Sequence, residues 1–466
     1  MPNLKWRLIK DKNTYGNYSS HYASLDDARF DSNLTLRKGA SKTYYMVIWI
    51  DEVDKNQPDT GKYNATIDFS SSNGTGVTST VGEFNYMKNI SADTFRSDEY
   101  REKIKNVSFV DYIDTNNAVV QWNASELGDN SIVAWLNSNS SDGYYDLYIG
   151  SKKEIYAKDL SKFFLNMTKV DSISFDNLNT IQTINMANMF DHLGCDSTVL
   201  KLDLGNKFDT RNATNMNGMF YNTGRNDSVF TLDLGDKFNT KNVTGGMNGM
   251  FYFTGCNSNE FKLDLGSNFD TSSVTNMERM FNGTGYNAKN FTLNLGDKFD
   301  TSNVTDMSMM FREVGRNSKI FTLNLGDKFD TSKVTTMFYC FFDAGYASSI
   351  FTLNLGGKFN TENVTNMQDM FAFLGHDNPK FVLELGKYFN TSKVTNMIEM
   401  FSKTGYANDN LILDLSNLTF NSVKSYGNFL NIKETQTIYV KSGTEKNWIL
   451  DKNFTGVSSD NVIIKK

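Results

Sequence analysis

Hydrophobic and polar positions alternate in short bursts along more than half of this chain. In residues 291–295, FTLNL, the side chains of Phe291, Leu293 and Leu295 fall on one face and those of Thr292 and Asn294 on the other, which predicts a short half-buried strand. Gly296 ends it and Phe299 returns to the core. Asp300 and Thr301 then supply side-chain acceptors that suit a turn or helix cap. Val304, Met307, Met310 and Phe311 follow at i, i+3, i+6 and i+7, the spacing of one face of a short helix, and Gly315 is placed to close it in a left-handed conformation.

The same order of elements returns at 321–341 (FTLNLGDKFDTSKVTTMFYCF) and at 351–371 (FTLNLGGKFNTENVTNMQDMF). Aligned on one aromatic column, Phe190, Phe220, Phe251, Phe281, Phe311, Phe341, Phe371 and Phe401 are separated by 30, 31, 30, 30, 30, 30 and 30 residues. A fixed period of this length is the mark of a solenoid, in which each coil is stabilised by its neighbours. The one longer spacing coincides with Gly245-Gly246, where other coils have a single residue, and a glycine pair absorbs an insertion as a local bulge. The Met and Phe columns read as core repeated in each layer. The fold expected is an α/β solenoid of leucine-rich-repeat-like coils of about 30 residues, each a short strand plus a short helix, with the strands in one parallel sheet. A small all-β module precedes the stack, and terminal caps close it.

That module has a different grammar. KWRLIK, NLTLRKG, SKTYYMVIWIDEV and GKYNATIDFSSS read as antiparallel strands in residues 1–72. The stretch SSSNGTGVTSTVG, at 70–82, is a natural linker. The expected organisation is therefore 1–72 β module, 73–170 linker and N-terminal cap, 171–430 solenoid and 431–466 C-terminal cap.

Composition narrows the function. The 466 residues carry a net charge of −6 with lysines and arginines dispersed, so no broad basic face points to nucleic acid. No stretch approaches the ~20 apolar residues of a membrane span, and the start MPNLKWRLIK has no hydrophobic signal core, so the expectation is either a cytoplasmic protein or one whose export segment has been cut off. Cys195 and Cys256 share a column two coils apart, about 10 Å at roughly 4.8 Å per strand and beyond disulfide reach. Cys340 replaces a Met, and all three read as small core residues. His21, His192 and His376 are too scattered for a triad or metal cluster, and no phosphate-binding loop, nucleophile elbow or zinc motif occurs. No enzymatic role, cofactor or metal is expected.

The run F-[DN]-T-x-x-V-T-x-M-x-x-M-F, carried for example by Phe299, Asp300, Thr301, Val304, Thr305, Met307, Met310 and Phe311, resembles the BspA-type leucine-rich-repeat surface proteins of bacteria. The segments FRSDEYREKIKNVSFVDY (95–112), WNAS (122–125) and DLYIGSKKEIYA (146–157) are similar to that family's lead-in, and IYVKSGTEKNWIL (438–450) to its closing module. Its members often have repeats nearer 25 residues, and each coil here carries an added loop. Residues 33–52 and 61–69 resemble strands of TasA or camelysin-like secreted proteins that build fibres or coats. These resemblances imply a non-enzymatic, extracellular or surface-bound, adhesin-like protein contacting a protein or glycan of a host or neighbouring cell. The alternative they imply is a fibre or coat subunit assembling through residues 1–72.

Two polar ladders are candidate surfaces. The outward strand column is Asp203, Asp233, Asp264, Asn294, Asn324, Asn354, Glu384 and Asp414, where stacked carboxylates attract a hard cation such as calcium or simply form the hydrated half of an alternating strand. The switch to Asn favours the second account. After the closing glycine come Arg225, Tyr286, Arg316, Tyr346, His376 and Tyr406, aromatic and basic groups in register along a loop edge. These are the candidate binding residues, set against the plainer reading that they lie flat as lids over the coil below.

Overall fold

A computed structural model describes residues 4–9, 45–50, 84–89, 98–139, 143–235 and 237–466, the first two segments as backbone only. The chain forms two compact units, Met1–Gly82 and Glu83–Lys466. In the first, strands Leu4–Ile9 and Tyr45–Ile50 pair antiparallel from Leu4↔Ile50 to Ile9↔Tyr45. The other two strands expected there, and the 70–82 linker, lie outside the described residues.

The second unit is a stack. Strands Val229–Asp233, Glu260–Asp264, Asn290–Asn294, Ile320–Asn324 and Ile350–Asn354 form one parallel sheet in coil-to-coil register, with Phe230 opposite Phe261, Phe261 opposite Phe291 and Phe321 opposite Phe351. The alternation read from FTLNL is present: Phe321 and Leu323 are buried while Thr322 and Asn324 are exposed. The strand pairing stops after Ile350–Asn354, and the reason is local. In earlier coils the residue two before the strand Phe donates its N–H to the coil before, as Asn259 does to Ser228 (3.1 Å) and Lys319 to Lys289 (2.9 Å). The next coil has Pro379 there, which has no N–H to give.

The expected helix is absent. Among the described residues the α-helices are Asp98–Arg101 and Gly443–Leu450, both outside the coils. The Val304–Gly315 stretch is instead a run of turns whose backbone is shared between layers. The N–H groups of Met307, Met309, Phe311 and Glu313 donate to carbonyls of Thr336, Phe338, Cys340 and Phe342 in the next coil, at 3.3, 2.8, 2.8 and 2.7 Å. Between them, Met310, Arg312 and Val314 donate to Met307, Met309 and Phe311 within the coil. A one- or two-turn helix leaves four N–H and four C=O groups without partners, whereas this arrangement satisfies every second donor from the neighbouring layer. The cost is backbone strain: Met309 and Glu313 sit at φ 58° and 59°, and the same two columns hold left-handed Tyr339, Asp343, Asp369 and Phe373. Gly315 is left-handed as expected, at φ 53°, but it closes a turn, and a Cβ there would lie 2.7 Å from the Phe321 ring.

Three phenylalanine ladders form the core. The column from Phe190 to Phe401 stacks at 5.3–5.6 Å between centroids. The column from Phe230 to Phe381 stacks at 5.0–5.8 Å. The column containing Phe299 stacks at 6.1–6.5 Å. The motif threonine has a precise job: Thr301 Oγ1 donates to the Asp330 carbonyl (2.9 Å), and the preceding Thr271 Oγ1 accepts the Asp300 N–H (2.7 Å), so each hydroxyl bolts one coil to the next. At Gly245-Gly246 the column of isolated bridges is interrupted, running Asn185–Asn215 and resuming at Asn276–Asp306. The inserted residue is absorbed there. All three cysteines are free and buried, and burial pushes the Cys195 and Cys256 thiols up to about 11.

Both ends of the stack are covered. At the front a six-stranded sheet changes from antiparallel pairing (Ala118–Asn123, Val133–Ser138, Tyr145–Gly150) to parallel pairing (Ile104–Val110, Ser172–Ser174, Lys201–Leu202), the hand-over the solenoid requires. At the back Gly443–Leu450, capped by Ser442 whose hydroxyl accepts the Thr444 N–H, lays Trp448 on Phe420 at 4.1 Å. This seals the last apolar layer.

Candidate functional site

The two predicted ladders behave differently. On the strand face Asp203, Asp233, Asp264, Asn294, Asn324 and Asn354 each accept, through Oδ1, the N–H of the glycine two residues on, at 2.9–3.3 Å. Asp414 does the same for Ser416. Either Asp or Asn provides that oxygen, so the column's mixture follows from turn chemistry. Among the described residues no group of three or more His, Cys, Asp or Glu is arranged to hold a metal ion.

The loop-edge residues come together as one continuous stack. Arg225 lies 6.0 Å from the Phe253 ring, which stacks on Tyr286 at 5.7 Å. The Arg316 guanidinium is held between Tyr286 (5.4 Å) and Tyr346 (4.3 Å). Tyr346 stacks on His376 at 4.5 Å, His376 on Tyr406 at 5.4 Å, and Lys433 finishes the row 5.3 Å from Tyr406. All six predicted residues are half-buried. Phe253 and Lys433 are members that column reading missed. Phe253 comes from a neighbouring column and fills the gap where Cys256 replaces the aromatic. Arg316 is fixed from below by Asp343, with Nε to Oδ2 at 2.6 Å. Burial pushes the Asp343 carboxyl up, while the Arg316 charge pulls it back. The faces of these rings are spent on each other, and solvent reaches only what remains of these half-buried side chains.

The stack is one margin of a wider surface. Four more columns on the turn run vary from coil to coil. The residue before the left-handed position reads Ala187, Asn217, Asn248, Glu278, Ser308, Phe338, Gln368, Ile398, and the left-handed position itself reads Asn188, Gly218, Gly249, Arg279, Met309, Tyr339, Asp369, Glu399. The two columns after the core Phe are as mixed, with Asp191, Tyr221, Tyr252, Asn282, Arg312 and Phe342 in the first. Core columns, by contrast, repeat Val, Met and Phe, and the strand face repeats Thr or Lys beside Asp or Asn. Stacking demands repetition in the core; nothing in the coil demands variation on the turn face.

Where two coils have glycine at the left-handed position, the surface opens into a trough. Its cavity of about 610 Å³ is lined by Asn188, Asn217, Gly218, Tyr221, Asn248, Gly249, Tyr252 and Arg279. Within each coil the asparagine precedes the glycine and the tyrosine follows it. The glycines thus form a floor between an amide wall and a tyrosine wall. Tyr221 and Tyr252 stack at 4.4 Å, and burial together with the neighbouring Tyr252 hydroxyl pushes the Tyr221 hydroxyl up to about 12. Asn217 Oδ1 accepts the Asn248 N–H (2.9 Å) and Asn248 Nδ2 donates to Glu278 (3.1 Å), so the amides are held in place. Glu278 also pairs with Arg279 at 2.5 Å and balances its charge. One coil on, Asn282 continues the tyrosine column, 1 % exposed and with Oδ1 unpartnered. Tyr252 also touches Phe253 at 4.8 Å, which joins the trough to the stack.

A family model described as "Mycoplasma protein of unknown function, DUF285" matches residues 158–284, 252–372 and 315–438, together more than half of the chain. The chain belongs to the DUF285 family. No curated protein and no solved structure matches it. The DUF285 matches overlap because the repeat lets one model settle on successive groups of coils, and the first of them contains the whole trough. The repeat is solenoid-like, with parallel strands about every 30 residues and stacked aromatic ladders.

Proposed function

We propose that this DUF285 protein is a non-enzymatic, adhesin-like binding protein of the bacterial surface or its surroundings, which presents the turn face of its solenoid to a protein or glycan of a host or neighbouring cell. The observation that carries this reading is the contrast between faces. Five columns on the turn run differ from coil to coil on an otherwise repeated scaffold, and they include bulky left-handed residues such as Met309, Tyr339 and Phe373 that the backbone holds at a cost. A rigid array of aromatic and basic side chains supplies contact area at low entropic cost. The resemblance of the coil motif to BspA-type leucine-rich-repeat surface proteins supports the same reading, although these coils use turns where such repeats are expected to have a helix.

The test is binding of residues 1–466 to intact host cells and immobilised matrix proteins, compared with a variant carrying Tyr286→Ala, Arg316→Ala and Tyr346→Ala. Loss of binding with retained circular dichroism supports the reading; equal binding by both proteins refutes the assignment of this face. A second reading, a fibre or coat subunit, draws on the antiparallel pair Leu4–Ile9 and Tyr45–Ile50 in the separate front unit. It predicts concentration-dependent filaments that vanish when residues 1–72 are removed.

A further inference from the structure

The geometry points to a neutral saccharide as the ligand of the Gly218–Gly249 trough, bound through ring hydroxyls by the asparagine and tyrosine walls. This rests on the reading of the turn face as a binding surface and names the ligand class of one part of it.

The first argument concerns the glycines. At φ 60° and 59° they occupy a left-handed position, but the same column holds Arg279 at φ 58°, Met309 at 58° and Tyr339 at 55°. The backbone therefore does not require glycine at this place. What Gly249 provides is room, since nothing lies closer than 3.8 Å to where its Cβ would stand, whereas a Cβ at Gly218 would meet the Asn188 amide at 2.7 Å, so that glycine makes way for the asparagine in the lining.

The second argument is the chemistry that surrounds this room. Amides and phenols both donate and accept hydrogen bonds, as sugar hydroxyls do, and Asn217, Asn248, Tyr221 and Tyr252 supply two of each; Asn217 Nδ2 donates to the Gly245 carbonyl (3.1 Å) and Asn248 Nδ2 to Glu278 (3.1 Å), which leaves each amide its second N–H for a ligand. No hydrophobic side chain lines the trough besides the two tyrosine rings, so a peptide would find no anchor pocket. The only charge in the lining, on Arg279, is already balanced by Glu278, so an anionic ligand gains little. The cavity of about 610 Å³ is within the range of about 300–1,000 Å³ typical of small-ligand sites.

The experiment is a titration of the full chain on an array of immobilised neutral, sialylated and sulfated oligosaccharides, run beside the cell and matrix-protein assay. Two variants accompany it. Gly249→Arg places in this coil the side chain that the next coil already carries at the same φ, and fills the trough. The double variant Tyr221→Phe, Tyr252→Phe keeps the ring stack and removes only the hydroxyls. The expected result is binding to neutral glycans that falls at least tenfold in Gly249→Arg and about tenfold in the double variant, the loss of one or two neutral hydrogen bonds. If Gly249→Arg does not fold, the double variant decides. Binding that both variants retain, or that occurs only with charged glycans, overturns the inference. So does the absence of glycan binding while cells or matrix proteins are still bound, an outcome that leaves the turn-face reading intact. Absence of both kinds of binding overturns the two together.

Discussion

Replacing Asp227 by Asn is expected to stabilise the solenoid at neutral pH. Asp227 is 1 % exposed, and neither of its carboxylate oxygens makes a well-formed hydrogen bond, the Ser228 and Leu200 N–H groups being no more than weak neighbours; the Ser258 hydroxyl one coil on is unpartnered. Burial pushes the Asp227 carboxyl up to about 6 from an ordinary 3.8, against the pull of the Ser228 and Leu200 backbone N–H groups. A folded-state value above the unfolded one means that the folded chain holds the proton more tightly, so this carboxyl lowers stability as pH rises from about 4 through about 6. At 1.36 kcal/mol per unit, the full penalty above that window is about 2–3 kcal/mol. The column itself shows the remedy: Asn378 and Asn408 occupy the same place and donate through Nδ2 to the carbonyls of Phe351 (3.0 Å) and Phe381 (2.9 Å). Urea unfolding of both proteins, followed by circular dichroism from pH 3.5 to 7.5, reads the effect. The Asp227→Asn advantage should be small at pH 3.5 and grow to about 2–3 kcal/mol by pH 7.5. An advantage independent of pH, or a variant less stable at pH 7.5, refutes the reasoning.

Other outcomes follow from the packing. Met307→Lys, which buries a charge at a position with no exposure, should cost more than about 3 kcal/mol and lower the melting transition sharply. Tyr346→Ala, which removes a cation–π contact and a stack at a half-buried site, should cost about 1–2 kcal/mol by the same denaturation assay. Gly345→Ala sets a Cβ 2.4 Å from the Phe351 ring at φ 56° and should destabilise by about 2–4 kcal/mol. Deleting Gly246 restores the common spacing and lets the bridge column run unbroken, so the melting transition should hold or rise; a fall of several degrees would show that the insertion is needed.

The repeat period, the alternating strand, the left-handed closing glycine and the absorbed insertion at Gly245-Gly246 were all legible in the sequence, because each depends on local residue chemistry. The helix was not. Val304, Met307, Met310 and Phe311 bury the same side chains whether the backbone is helical or a run of turns, and the choice is made by the carbonyls of Thr336, Phe338 and Cys340, some thirty residues away. The loop-edge column was readable, but its sealing into a stack was not, since Phe253 enters from another column. The trough had a visible signal in Gly218 and Gly249, two gaps in a column that otherwise carries large side chains, and that signal appears only when columns are compared for what varies.

The most direct test of the binding-face account compares two triple variants in one cell-binding assay. Tyr286→Ala, Arg316→Ala and Tyr346→Ala strip the turn face. Thr292→Ala, Thr322→Ala and Thr352→Ala alter exposed positions on the strand face of the same three coils. The account predicts that binding falls at least tenfold in the first and is unchanged in the second, with both proteins folded. Binding lost only in the threonine variant would contradict it.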